Sequence, residues 1–295
     1  EAVKMAPLIA ELERSPRMDV MVAVTGQHRE MLDQVNGLFG IVPTHDLNII
    51  RRGQSLTDIT TRGLAGLSEL IERERPDAVV VQGDTTSAFA GALAAFYAHT
   101  PLVHLEAGLR TSNRHAPFPE EANRRLTSQL TTLHLAPTPS ARRNLLAEGV
   151  TGDDVVVTGN TVIDALFDAL ARPVDYTDPT LAAAIDGRKV VLVTAHRRES
   201  WGSPMVHIGR AIGRLAATEP DVVFVVPVHR NPIVRECLLP PLHGLDNVLV
   251  REPMAYGEFA RLLSDSHLVL TDSGGMQEEA PSLGKPVLVL RETSE

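Results

Sequence analysis

Residues 267–290 read HLVLTDSGGMQEEAPSLGKPVLVL, and this stretch decides the fold. An apolar run empties into Ser-Gly-Gly, a segment of helical character carries Glu278 and Glu279, and a second apolar run follows. Strand, helix and strand in such close succession form the crossover unit that joins parallel strands. The two glutamates could simply complement the positive end of the helix dipole.

The same unit recurs outward along the chain. Apolar β-rich runs include DVMVAVT, DAVVVQGD, PLVHLEAG, LHLAPT and VVVTGN, then KVVLVTAH, DVVFVVPVH and NVLVRE. Most are continuously apolar rather than alternating, as expected of parallel strands covered by helices on both faces. TSAFAGALAAFYAH and SPMVHIGRAIGRLAATEP have the spacing of crossover helices. The fold class is therefore α/β, a doubly wound pattern repeated twice. Prolines and polar residues in ARPVDYTDPT, residues 171–180, mark a linker between halves at 1–170 and 181–295, each with a sheet of about five strands. The chain opens on a helix-like EAVKMAPLIAELER with no strand ahead of it, which suggests that a first strand is missing.

Composition excludes several classes. At 295 residues with 43% hydrophobic residues the chain can build real cores. A net charge of -9 argues against broad contact with nucleic acid or an anionic membrane surface. The single cysteine, Cys237, can form no internal disulfide, which fits a reducing, cytoplasmic setting. No stretch is apolar for long enough to span a bilayer, and the start lacks the layout of a secretory signal. The 11 histidines are scattered, so no metal site is expected, and nicotinamide, P-loop and zinc signatures are absent.

Open α/β sheets bind ligands beyond the carboxyl ends of their strands. In the first half those ends carry Gln27, Asp84, Thr85, Glu106, Arg110 and Asn160. In the second they carry His196, Arg197, His229, Ser273, Gly274, Gly275 and Glu279. Each has a simpler account. Asp84 and Thr85 could cap a helix, Glu106 could pair with Arg110, and Glu120 and Arg124 are spaced as a solvated helical ion pair. His196 and His229 could be hydrogen-bonded histidines at strand ends. Their density is harder to explain in that way. Gly274 and Gly275 let backbone N–H groups approach a phosphate, Ser273 adds a donor, and Glu279 suits the hydroxyls of a ribose. Together they form a nucleotide cradle.

The runs EAVKMAP, QHREMLDQV, HLEAGLRT, PEEANR, TGNTVIDAL, TAHRRES and TDSGGMQEEAPSLGKPVLVLR resemble the non-hydrolysing UDP-N-acetylglucosamine 2-epimerases from the first residue to the last. The resemblance implies a glycosyltransferase-B fold, two Rossmann-like domains with an interdomain cleft and UDP held by the second. It implies interconversion of UDP-N-acetylglucosamine and UDP-N-acetylmannosamine through UDP elimination, with neither metal nor redox cofactor, in the supply of bacterial surface polysaccharide. Asp84, Glu106 and Glu120 match the catalytic carboxylates, and His196 matches a further catalytic residue beside the diphosphate or leaving group. Lys4 and Arg124 match further substrate-binding residues, and Ser273, Gly274, Gly275 and Glu279 match the UDP cradle. Gln27, Gln54, Arg197 and His229 match a second, allosteric site for the substrate as activator, although Gly53 stands where some relatives carry arginine. A homodimer is implied.

Relatives begin with a strand and a GTRPE-like loop, of which Glu1 alone remains, and continue beyond RETSE with an Arg-Pro-Glu run. An incomplete chain is expected on that basis. Three rival readings stay open: a hydrolysing epimerase that releases N-acetylmannosamine and UDP, a glycosyltransferase, and a catalytically silent nucleotide-sugar sensor. QHREML and Gln54 favour the non-hydrolysing branch.

Overall fold

Alanine and glycine set the spacing of the first layer. The computed structural model describes residues 1–26, 29–49, 51, 53–111, 113–115 and 117–291. They fall into two compact units, Glu1–Ala165 and the part beginning at Leu166. The first contains α1 (Ala2–Arg14), β1 (Ala23–Val24), α2 (Arg29–Phe39), β2 (His45–Asp46), α3 (Leu56–Glu74), β3 (Val79–Gln82), α4 (Thr86–Tyr97), β4 (Leu102–Leu105), α5 (Glu120–Leu130), β5 (Leu133–Ala136), α6 (Pro139–Ala147), β6 (Val155–Val157) and the start of α7 (Thr161–Leu170). Ala88, Ala92, Ala94 and Ala95 of α4 pack with Ile71, Val81 and Leu102, and small side chains there let helix and sheet approach closely. A Cβ at Gly91 would already stand 3.2 Å from Val81 Cγ1.

Strands β3 to β6 form a parallel sheet in sequence order. Strands β1 and β2 pair separately, so the expected single sheet of about five strands is divided among the described residues. The expected run DVMVAVT contracts to Ala23–Val24 because its one ladder partner is equally short, Ala23 facing His45 and Val24 facing Asp46.

The second unit holds α8 (Pro179–Ile185), β7 (Lys189–Thr194), α9 (Ser203–Thr218), β8 (Val222–Pro227), α10 (Pro232–Leu238), β9 (Val248–Arg251), α11 (Tyr256–Asp265), β10 (Leu268–Thr271), α12 (Gly274–Ser282) and β11 (Val287–Val289). Its five-stranded parallel sheet has the order β11-β10-β7-β8-β9. The chain starts at β7, winds outward to β9, and crosses back to β10 and β11. The winding reverses between β7 and β10, and a crevice at such a switch point is where open α/β sheets take ligands. Val191, Val193, Phe224, Val226 and Leu270 on the strands meet Met205, Ile212 and Ala216 of α9 in one apolar core. The unit boundary lies inside α7, ahead of the 171–180 linker anticipated from the sequence. No helix among the described residues is long and apolar enough to cross a membrane.

Candidate functional site

In the first unit, Gln82 and Leu105 face one another across the β3–β4 ladder, so the chain carries Asp84 and Glu106 off the sheet as neighbours. Glu106 has φ +64°, a left-handed conformation that is uncommon for a residue other than glycine. Its carboxylate accepts from Lys4 Nζ at 2.5 Å and from the Gln82 side-chain amide. Lys4 projects from the first turn of α1, whose backbone is fixed by the Thr161 hydroxyl donating to the Lys4 carbonyl at 2.6 Å. The alternative pairing of Glu106 with Arg110 does not form. Arg110 instead holds Glu148 at 2.7 Å and donates to Ser128.

Asp84 is bound by Arg124, with Nε at 2.8 Å and Nη2 at 2.7 Å from Oδ2, while Asn123 donates to the Asp84 carbonyl. Asp84 therefore does not cap α4; Thr85 does, accepting from the Ala88 N–H. Nor does Arg124 pair with Glu120 in the simple helical manner, because it is committed to Asp84 and Glu121. Glu120 opens α5, half-buried and without an ion pair among the described residues. Glu121 is fully buried and accepts from the Thr111 N–H, Arg124 and Arg125. Gly108 has φ +89°, and a Cβ there would lie 2.3 Å from the Ala141 carbonyl oxygen, so only glycine lets the chain leave Glu106 along this path. Two buried histidines underlie the cluster. His104 bonds the Gly83 carbonyl at 2.7 Å and stands opposite His134, and burial pushes each imidazole down to about 4.

In the second unit the features gather at the switch point. Thr194 and Thr271 are in register at the carboxyl ends of β7 and β10, with their hydroxyls 2.6 Å apart. Ser273 is the N-cap of α12 but makes no side-chain cap, and Gly274 and Gly275 leave the first two helical positions without side chains. Such a terminus offers N–H groups and a positive dipole end to an anion. The reading of Glu278 and Glu279 as dipole complement fails on position, since no acidic residue lies in the first turn of α12. Glu279 is instead 8% exposed and accepts the Tyr256 hydroxyl at 3.0 Å. Burial, aided by Glu279, pushes the Tyr256 phenol well above its ordinary range and keeps it a donor.

The loop after β7 brings His196 and Arg197 to the same edge. His196 stacks on His229 with ring centres 5.7 Å apart, and His229 Nδ1 accepts the Asn231 N–H. Burial holds the His196 imidazole below its ordinary value, with Arg197 and His229 adding to the effect and Asp272 and Glu199 opposing it. Arg197 Nε is buried and has no partner among the described residues, as are Nε and Nη1 of Arg291, whose Nη2 holds Glu199 at 2.9 Å. Gln54 lies in the turn before α3 and accepts the Arg51 N–H at 2.9 Å. Gln27 lies outside the described residues. Among the described residues no group of three or more His, Cys, Asp or Glu could hold a metal ion.

Sequence reasoning passed over Gln82, Glu121, Tyr256 and Asp272. Only Asp272 carried a signal, as an acidic residue ending an apolar strand beside Ser-Gly-Gly.

The family model for UDP-N-acetylglucosamine 2-epimerase matches residues 10–295. A curated UDP-N-acetylglucosamine 2-epimerase of Neisseria meningitidis is 50% identical over 300 residues, spanning 100% of this chain and 80% of its own length. The crystal structure of a UDP-GlcNAc 2-epimerase from Neisseria meningitidis bound to UDP-GlcNAc superposes with a TM-score of 0.89 at 50% identity, covering 99% of this chain and 80% of that one. S. aureus MnaA, solved with UDP, gives a TM-score of 0.89 at 46% identity, covering 100% and 77%. The two parallel α/β units are of the glycosyltransferase-B type. With that fold, these strand-end residues and this match over nearly its whole length, the chain belongs to the UDP-N-acetylglucosamine 2-epimerase family.

Proposed function

We propose that the protein epimerises UDP-N-acetylglucosamine at C2, reversibly, to UDP-N-acetylmannosamine without net hydrolysis. The C2 proton has no adjacent carbonyl, so direct removal by a carboxylate is too slow. Departure of UDP solves this. As the C1–O bond breaks, its electron pair leaves with the diphosphate, positive charge develops at C1, and the C2–H proton becomes acidic. A carboxylate takes that proton, and the C–H electrons form the C1–C2 double bond of 2-acetamidoglucal. Return of a proton to the opposite face of C2, with UDP re-adding at C1, completes the inversion.

Asp84, Glu106 and Glu120 supply the acid and base in this reading, and Lys4 and Arg124 hold the first two carboxylates and temper the charge around the sugar. Ser273, Gly274, Gly275 and the start of α12 receive the diphosphate, Glu279 the ribose, and His196 stands beside the departing oxygen. The supporting observation is the pair of carboxylates leaving β3 and β4 side by side, each gripped by its own cation, with Glu106 in a left-handed backbone. Strain of that kind persists where the surrounding structure enforces it and concentrates at working sites. The product would serve bacterial surface polysaccharide synthesis in the cytoplasm, and the active form would be a homodimer. Gln27, Gln54, Arg197 and His229 are assigned to a second UDP-N-acetylglucosamine site that activates the enzyme, which predicts sigmoidal substrate dependence.

Incubation with UDP-N-acetylglucosamine in heavy water, followed by NMR, tests the reaction. Deuterium at C2 of intact UDP-N-acetylmannosamine is the expected result. Free N-acetylmannosamine would instead indicate hydrolysis, and unlabelled, unchanged substrate would sink the assignment.

A further inference from the structure

We infer that Asp272 is the positioning residue for His196, fixing both the loop that carries the imidazole and the ring nitrogen that faces the leaving group. This rests on the reaction proposed above. Asp272 follows the last residue of β10 and is fully buried. Its carboxylate accepts the His196 N–H at 3.1 and 2.9 Å and the Arg197 N–H at 2.9 Å, and its own N–H donates to the Thr194 carbonyl at 3.2 Å. From the other side, Trp201 Nε1 donates to the His196 carbonyl at 3.2 Å. The His196 peptide is thus clamped at both polar ends, across the point where the sheet reverses its winding.

A loop clamp alone needs no charge, because a serine or an amide can accept a backbone N–H. Here a full carboxylate is buried, which is costly unless it acts on other charges. The Asp272 carboxylate does so, with Oδ1 standing 3.6 Å from His196 Nδ1. A negative charge on that side attracts the ring proton to Nδ1 and leaves Nε2 as the nitrogen for the substrate. It also stabilises an imidazolium, which matters when an anionic diphosphate departs. The other groups that bear on His196 are Arg197 and His229, which oppose its protonation, and Glu199, which favours it. Glu199 is tied to Arg291 and has a side chain 53% exposed, whereas Asp272 has a side chain 0% exposed and is the less screened of the two carboxylates.

The test uses the full chain with nitrogen-15 histidine. In the unsubstituted protein the neutral His196 ring should be the Nδ1–H tautomer, with His196→Gln giving the assignment; an Nε2–H tautomer overturns the inference outright. In Asp272→Asn the His196 titration should move to lower pH, and the limb of the kcat profile that His196→Gln abolishes should move with it. We expect kcat to fall about 10–100-fold with KM changed less than about threefold, the range seen when the orienting partner of a working group is removed. Asp272→Ser gives the same readout if the asparagine variant does not fold. Trp201→Phe, which loosens the same loop without removing charge, should leave the His196 titration in place. If Trp201→Phe shifts it as far as Asp272→Asn does, or if neither shifts it, Asp272 is only a loop clamp. Tautomer and titration are read without turnover, so these outcomes stay distinguishable from a missing deuterium signal in the parent enzyme, which would count against the reaction instead.

Discussion

Replacing Glu121 with alanine should damage the acidic cluster by way of Arg124, which Glu121 helps to hold. Its side chain has 0% exposure and accepts three donors, Arg125 Nε at 2.8 Å, the Thr111 N–H at 3.0 Å and Arg124 Nη1 at 3.4 Å. Arg125 is 45% exposed and can turn to water at little cost, since exposed pairs contribute about 0.2–1 kcal/mol. Arg124 is 8% exposed and cannot. Removing one partner of a buried ion pair costs roughly 3–5 kcal/mol, because the remaining charge keeps its desolvation penalty. Asp84 still holds Arg124, so the lower end of that range is expected. With a urea slope of about 1–3 kcal/mol per molar, the midpoint of the first unit should fall by on the order of 1–3 M. Circular dichroism in urea measures it. Hydrogen exchange should localise the change to residues 111–130, with Glu121→Gln intermediate because it keeps acceptor geometry and loses charge. A Glu121→Ala protein within about 0.5 kcal/mol of the parent would refute the buried-hub reasoning.

Gly108→Ala should destabilise by about 2–5 kcal/mol, combining a left-handed backbone with a forced clash on the Ala141 carbonyl. Gly149→Ala, with φ +92° but open space around it, should lose only about 1–2 kcal/mol, and comparative thermal melts separate the two terms. His104 and His134 sit at about 4 in the fold against an ordinary value of 6.5. A depressed folded pKa means that their stabilising effect is complete above pH 6.5 and is lost as pH falls toward 4. The slope should approach ~2.7 kcal/mol per pH unit where both take up protons on unfolding, and His134→Leu should halve it in urea melts run across that window. Tyr256→Phe should weaken UDP about tenfold in calorimetry by freeing Glu279 from its donor, while pyrophosphate, which has no ribose, should bind as before.

The strand runs were legible because a parallel strand covered on both faces needs continuous apolar residues, and β7, with Val190 to Thr194 all buried, shows the pattern at full strength. The change from strand to helix at Ser-Gly-Gly was legible too, since glycines between an apolar run and a helical segment mark a turn, and Ser273 stands as the N-cap of α12. Pairing was not. Glu106 and Arg110 are near in sequence, yet the left-handed turn at Glu106 and the path through Gly108 send the arginine to Glu148. Likewise Glu120 and Arg124 satisfy the helical spacing, but Asp84 reaches the guanidinium from another element with better geometry. Partners set by tertiary contact, 40 residues apart for Asp84 and Arg124 and 76 for Asp272 and His196, leave no trace in local periodicity, whereas Glu121 was passed over although Arg124 and Arg125 stand three and four residues on.

The two clusters treat charge in opposite ways, and that contrast bears on what each can do. In the first unit the carboxylates of Asp84 and Glu106 have counter-charges built into the fold, in Arg124 and Lys4. Each cation offsets the charge of the carboxylate beside it, so each pair presents little net charge to an arriving ligand. In the second unit the excess lies with donors. The N-terminus of α12 has no side-chain cap, and Arg197 and Arg291 keep buried N–H groups without partners among the described residues. Buried donors left open cost free energy in the absence of a ligand. An arriving diphosphate would recover that energy most fully when its own negative charge is greatest, after the C1–O bond has broken. Donors matched to the departed rather than the bonded state of UDP would lower the barrier to elimination instead of merely tightening substrate binding. UDP should therefore bind more tightly than the intact sugar nucleotide, and calorimetry with the two ligands measures the difference.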